Sequence, residues 1–470
     1  MNFKIKLIFI CFLVTISPVC ADENNGIAAT KILVANLNEL NIENDITVMP
    51  NMRISPDGSQ IAYIGIFGQR QFVVLNATKG KFFDEVGYNL FFSPDSKHIA
   101  YQVIMDTKQF VVVDDKYGKS YDNVDISDAI FSPDSQTVAY IAEINSKKVT
   151  VMNGHEGKKY EKIYDIVFSP DSKHVAYNAL SNNKWCMVVD GKESTFYDRA
   201  GSMIFSPDSK HYAYIAELGG KYCVVMDGEE GFFYKDIDRY SLLFSSDSKH
   251  FAYVAMAQDK KSFVVVDSKE MKRYDMATGL VFYPDSQHVT YAAELNNRWF
   301  IVIDENESAS YNGILDYSLV FSADGQHVAY AANRNNVEFV VVDGEEHKQY
   351  EHIKIGSLMF SSDGQHIAYI ATKKNKQFLV LDGKEYKLYD EMSGLYFSPD
   401  SKHIVYAAKL GGNEILVIND KEFIQEGIMI SDISGMRYLI EKKFFFSSDS
   451  IFSYYILEDN KLYRIEVSIK

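Results

Sequence analysis

Phe168-Ser169-Pro170-Asp171-Ser172-Lys173-His174-Val175-Ala176-Tyr177 decides the fold, because the same ten-residue pattern recurs in register along nearly the whole chain. Its aspartate falls at Asp57, Asp95, Asp134, Asp171, Asp208, Asp247, Asp285, Asp324, Asp363 and Asp400, with gaps of 38, 39, 37, 37, 39, 38, 39, 39 and 37 residues. A degenerate eleventh copy, Phe446-Ser447-Ser448-Asp449, follows after 49 residues. Six positions beyond the aspartate stands a tyrosine in every copy, from Tyr63 to Tyr455. Three positions before it stands phenylalanine, with Ile54 as the sole departure. A period near 40 built from short strands points to a propeller or a related array.

One unit, residues 168–204, shows how the period is filled. Asp165–Phe168 leads into Ser-Pro-Asp-Ser, a tight turn in which proline presets φ and the carboxylate accepts from nearby backbone N–H groups. His174–Leu180 alternates as a second strand. Ser181–Lys184 is a polar loop, and Trp185–Val189 is a third strand closed by Asp190-Gly191, a dipeptide favoured in two-residue hairpins. Lys192–Asp198 reads as a shorter, solvated fourth strand. Strands two and three are apolar on both faces, as expected where sheets stack on both sides. Four antiparallel strands, radially repeated, make a propeller blade. The fold expected is therefore all-β: about eleven four-stranded blades of ~38 residues. Rings commonly hold about 4–8 blades, so two rings are preferred, with one very large ring as the alternative. A helix is allowed only within residues 27–42.

The pattern Phe-Ser-Pro-Asp-(Gly/Ser)-x-x-Ile-Ala-Tyr resembles the TolB-type repeat, a WD-like propeller family found in many exported bacterial proteins. The resemblance covers about residues 52–458. It implies a propeller that serves as a scaffold or binding module, with a TolB-like envelope partnership as one expectation. The chain departs from TolB in having more than six units. It also leaves only about 30 residues between the leader and the first unit, where TolB has a separate α/β domain.

Residues 1–21 combine Lys4 and Lys6, the apolar stretch Leu7–Ile16 and Val19-Cys20-Ala21, the pattern of a cleavable signal peptide. The domain reading is a signal peptide over 1–21, an N-terminal segment over 22–51 able to supply a closing strand, and the blade array over 52–470. The expected location is periplasmic or secreted, without membrane insertion after cleavage. Cys186 and Cys223 occupy equivalent positions in consecutive units. Rotation between units points them the same way rather than at each other, so two buried free thiols are expected. The net charge of −16 argues against nucleic acid or an anionic bilayer as partner, since both demand clustered cations.

Chemistry is harder to find. Eight of eleven histidines stand three residues after the turn aspartate, from His98 to His403. They are read as structural, bonded to the turn Asp, its Ser or neighbouring backbone, because equivalent positions on successive blades lie too far apart to share a metal ion. The recurring aspartates are turn caps, since calcium needs 6–8 oxygens. No nucleophile elbow, phosphate loop or zinc cysteine pair occurs. No catalytic residue, cofactor or metal is therefore assigned. Variation is concentrated in the loops after strands two and four, which share one rim. The candidate binding residues there are Arg70, Trp185, Tyr234, Arg239, Tyr240, Arg298, Trp299, Tyr311, Tyr317 and Arg334. The function expected is an exported, non-enzymatic propeller binding a protein or envelope component, with a lyase or glycan-processing propeller enzyme as the alternative.

Overall fold

A computed structural model describes residues 17–22, 27–36, 46–48, 52–76, 78–126, 131–424, 428–429, 445–458 and 461–469. Residues 1–16, most of the expected signal peptide, lie outside that set. The described residues form strands and turns arranged as eleven antiparallel sheets.

The turn of each unit is wired by its own side chains. In the fourth unit the Ser169 hydroxyl donates to Asp171 (2.7 Å) and accepts the His174 N–H (2.9 Å), while Asp171 accepts the Lys173 N–H (3.1 Å). Each polar group of the turn thus has a partner, and the chain reverses into Val175–Ser181. That strand pairs with Lys184–Val189 in a register running from Ala176↔Val189 to Ser181↔Lys184. Alternation then sends its two faces to two neighbours. Val175, Tyr177 and Ala179 enter the core shared with the preceding sheet, whereas Ala176 enters the core shared with the next. The fourth strand is shorter than its sequence suggests: Lys192–Glu193, followed by a single bridge between Trp185 and Tyr197.

Ten hydrophobic cores lie between consecutive sheets, one at each junction from sheets 1 and 2 through sheets 10 and 11. The repeated tyrosine sits in these cores and meets an aromatic of the preceding sheet edge-on. Tyr121–Tyr140, Tyr160–Tyr177, Tyr197–Tyr214 and Tyr389–Tyr406 show the same contact, with centroids 6.1–6.4 Å apart. Such T-shaped pairs add to the burial energy of the rings. Neighbouring sheets also approach closely at their first strands. At their fourth strands they are joined by long side chains: Tyr197, Tyr274 and Tyr389 donate to Glu230, Glu307 and Glu422 of the following sheet (2.6–2.9 Å), and lysines reach the same carboxylates in two of the three. The sheets therefore diverge outward, leaving the first strands on the inner wall.

The last sheet joins both ends of the chain. Ile451–Glu458 pairs with Lys461–Ile469, which pairs in turn with Ile27–Asn36. Ser17–Asp22 adds a further edge strand. The segment within 27–42 allowed as helix is thus a strand over Ile27–Asn36: nine of its ten residues pair with Lys461–Ile469, which overrides local preference. Sheet 11 packs on sheet 10 through Phe452, Tyr454, Ile465 and Val467, and the Tyr455 hydroxyl donates to the Gly58 carbonyl of sheet 1. Every junction in chain order is packed, including that between sheets 5 and 6, and the last sheet touches the first. The expected division into two rings is therefore replaced by one large ring. A division would have left one internal junction without a core.

Candidate binding rim

The two rims of the ring are built differently. One carries the Ser-Pro-Asp-Ser turns and the hairpins between strands three and four. There the backbone N–H of seven turn aspartates donates to the serine hydroxyl one sheet onward: Asp57 to Ser96, Asp95 to Ser135, Asp134 to Ser172, Asp171 to Ser209, Asp208 to Ser248, Asp247 to Ser286 and Asp363 to Ser401, all at 2.9–3.1 Å. These serines hold left-handed φ between 62° and 65°, a conformation that favours glycine. Gly325 and Gly364 take the same place in sheets 8 and 9 at φ 69° and 73°. Serine accepts the backbone strain and supplies an inter-sheet bond that glycine lacks.

On this rim the histidines are paired, though with a partner other than the one expected. Nδ1 of His98, His174, His211, His250, His288, His327 and His366 lies 2.6–2.7 Å from Asp114, Asp190, Asp227, Asp267, Asp304, Asp343 and Asp382. Those aspartates open the second hairpin, and their other oxygen accepts the backbone N–H of the residue after the histidine, as at Val175 (3.1 Å). The turn aspartate is occupied by its own serine and backbone, so the hairpin aspartate takes the imidazole. Asp304 and Asp343 raise the pKa of His288 and His327. The serine hydroxyl, ahead of the backbone N–H, holds Asp95, Asp208 and Asp247 down at about 2.

The opposite rim carries the hairpins between strands two and three and the connections into the next sheet. Here the uneven spacing of the repeat becomes geometry. Where the gap is 37, the first strand runs on with only a bulge, as in Lys162–Phe168 and Arg199–Phe205. Sheets 6, 8 and 9, which follow gaps of 39, carry two extra residues that split the first strand with a turn. Ser241, Ser318 and Ser357 close that turn, each accepting the strand-two N–H of Val254, Ala331 or Ile370 (2.8–3.1 Å). The turn pushes Tyr240, Tyr317 and Ile355 into solvent, with Tyr240 91% and Tyr317 89% exposed. Tyr317 holds φ 55° where Gly356 holds φ 72° in sheet 9. A bulky residue in that conformation is strained, and so exposed a ring gains little packing in return.

Two connected clefts open on this rim. A cleft of about 720 Å³ spans sheets 4 to 7, and a smaller one of about 460 Å³ spans sheets 3 to 5; they share Asp165, Asn178, Arg199 and Ala200. Arg199 pairs with Glu217 at 3.4 Å, and Asp275 with Lys261. Asp238 accepts the Tyr240 N–H (3.0 Å) and Asp236 the Ile237 N–H (2.9 Å); both side chains are exposed. Asn178 is 7% exposed, at a position where Ile64, Ile141, Ile215 and Ile370 stand in other sheets. Its Nδ2 donates to Asp165 (3.1 Å) and to the Ala200 carbonyl (3.0 Å), which settles the amide's orientation, and its Oδ1 has no partner. Among the described residues no group of three or more His, Cys, Asp or Glu is placed to hold a metal ion.

Of the ten candidates, Arg239 and Tyr240 line the larger cleft and Trp185 the smaller. Trp185 lies against Tyr164, with centroids 5.9 Å apart. Arg70 and Arg298 are exposed at the start of third strands and Trp299 is half-buried, all outside the clefts, as is Tyr317. Tyr234 and Tyr311 are corrected: at 6% and 1% exposure they are core residues packed on Phe263 and Phe339, because the bridge to strand three turns them inward. Arg334 is held bidentately by Glu346 (2.7 and 2.9 Å) and lies over Tyr311 and Phe339. The sequence reading missed Asp165, Asn178, Asp236 and Asp238. It also missed that Tyr88, Tyr164, Tyr240 and Tyr317 share one position, seven residues before the turn aspartate, on alternate sheets 2, 4, 6 and 8. All four are exposed, while Gly201, Thr278 and Gly356 occupy the sheets between or beyond them. Aligning the units on the aspartate would have revealed that alternation.

No family model and no curated protein matches the chain. Among solved structures it is similar to a eukaryotic initiation factor (14% identity, TM-score 0.38, covering 64% of this chain and 88% of that one). It is also similar to TolB from Acinetobacter baumannii (15% identity, TM-score 0.25, 65% and 81%). A third is the β-propeller domain of the Trilobed protease from Pyrococcus furiosus (13% identity, TM-score 0.28, 56% and 96%). The chain is a β-propeller on the strength of its own eleven sheets.

Proposed function

We infer that the protein is an exported, non-enzymatic propeller of TolB type that binds a protein or envelope component in the clefts over sheets 3 to 7. What carries this reading is the contrast between rims: the cleft side chains depart from the repeat at positions where uniformity would serve folding. Asn178 replaces an aliphatic residue, and Tyr240 projects without packing. Open clefts rimmed by aromatic and charged side chains suit a protein contact. Export rests on the leader-like residues 1–21. Cleavage after Ala21 leaves Ile27–Asn36 available to complete the last sheet.

Two measurements test this. A photo-crosslinking residue at Met276 or Tyr240 is expected to capture a defined partner in cells, whereas one at Glu229 on the outer edge captures none. Equal capture at Glu229, or none at the cleft, removes the binding assignment. Mass spectrometry of the mature protein is expected to begin at Asp22, and an intact Met1 start in a cytoplasmic fraction removes the export assignment.

A further inference from the structure

The two clefts form one groove, and its charge is lopsided. Asp125, Asp165, Glu217, Asp236, Asp238 and Asp275 line it against only Arg199 and Arg239. Neighbours neutralise some of this: Arg199 faces Glu217 and Lys261 faces Asp275. Asp236 and Asp238 form no ion pair among the described residues; each accepts only a local backbone N–H. An acidic wall alone is ordinary solvated surface. The second observation is Asn178, a nine-tenths-buried amide lining both clefts whose Oδ1 lacks a donor. A buried acceptor left unpaired is costly, and the same position elsewhere in the ring is filled by isoleucine, valine or alanine in nine units, with Gln102 in the tenth. At the other end of the groove Tyr164 and Trp185 present a tilted aromatic pair beside Asp165, a surface on which a cation binds through ring quadrupoles and carboxylate together.

We propose that the groove takes a basic polypeptide segment, and this rests on the binding role inferred above. One lysine or arginine side chain lies at Asp236 and Asp238. A second lies between the Tyr164–Trp185 pair and Asp165, and an N–H of the segment reaches Asn178 Oδ1. The chain's net charge of −16 adds long-range attraction for such a partner. The groove's reach from sheet 3 to sheet 7 suits an extended chain better than a single small cation.

The test uses the mature protein, residues 22–470, and a fluorescein-labelled decapeptide of alternating alanine and lysine, with an alanine–glutamine counterpart. Fluorescence anisotropy is expected to show binding of the lysine peptide only, weakened about tenfold or more by D236N/D238N and by raised salt. N178I, which installs the residue found in sheet 5, is expected to weaken binding severalfold in a protein that still unfolds cooperatively on heating. E229Q/E345Q removes two exposed outer-edge charges and is expected to leave affinity intact. Equal binding of the glutamine peptide overturns the cationic assignment while leaving a binding groove in place. Equal weakening by E229Q/E345Q, displacement by spermine at the peptide's own concentration, or no binding at all also overturns it. Crosslinking from Met276 reports on the groove independently of charge, so the two readings fail separately.

Discussion

The two rims are made from the same repeats yet treat their polar groups in opposite ways. On the turn rim nearly every donor and acceptor is spent internally: serine on aspartate, aspartate N–H on the next sheet's serine, histidine on the hairpin aspartate. On the other rim Asp236 and Asp238 accept only local backbone N–H groups, the Asn178 Oδ1 has no partner, and Tyr240 and Tyr317 stand exposed. Satisfied groups hold a ring together and offer nothing to a ligand. Unsatisfied ones contribute little to stability and are what a partner meets.

The contrast is sharpest in the cores that both rims share. Tyr63 is fully buried and its hydroxyl has no partner. Tyr63→Ala is expected to destabilise by about 3–5 kcal/mol through cavity formation, whereas Tyr63→Phe is expected to be neutral or slightly stabilising. Chemical denaturation of the pair measures the difference, and a costly phenylalanine variant would break the packing account.

A smaller effect is expected on the turn rim. Ser135→Ala keeps the left-handed backbone but strands the Asp95 N–H, costing about 1 kcal/mol. Ser135→Gly relieves the strain and costs less, as Gly325 and Gly364 already illustrate. If alanine and glycine cost the same, the inter-sheet bond contributes nothing.

Acidity tests the same rim collectively. Asp95, Asp208, Asp247 and Asp400 are held at about 2, below the usual 3.8. Their contribution is therefore complete above the unfolded value and is lost as pH falls from about 4 to about 2. His288 and His327 are shifted the other way. Their contribution is complete below the unfolded value of 6.5 and declines as pH rises through the higher folded value. Melting temperature is expected to peak in mildly acidic buffer, and a flat profile from pH 2 to 8 would contradict the pairing. The least change is expected on the open rim: Tyr240→Ala or Asp238→Asn should alter stability by no more than about 0.5 kcal/mol, read by thermal unfolding.

Much of this was legible in the residues. The aspartate register gave the number of sheets, and the serine, proline and tyrosine positions gave their turns and cores. Cys186 and Cys223 are free and buried in separate inter-sheet cores, as rotation between units requires, and burial pushes their thiols to about 11 and about 12. The candidate rim was half legible. Composition picked out Tyr240, Arg239 and Trp185, but it equally picked Tyr234 and Tyr311, which the strand bridge buries. A tyrosine's identity does not say which side of a strand it leaves, and only its distance from the turn aspartate does.

The sequence by itself determined the local unit, because turn chemistry and alternation act over a few residues and repeat without reference to the rest. Ring number, the joining of the two termini in one sheet and the convergence of Asp165, Asn178, Asp236 and Asp238 belong to the tertiary structure. Those depend on the small rotation between sheets summed over the whole ring, a quantity that no single repeat contains.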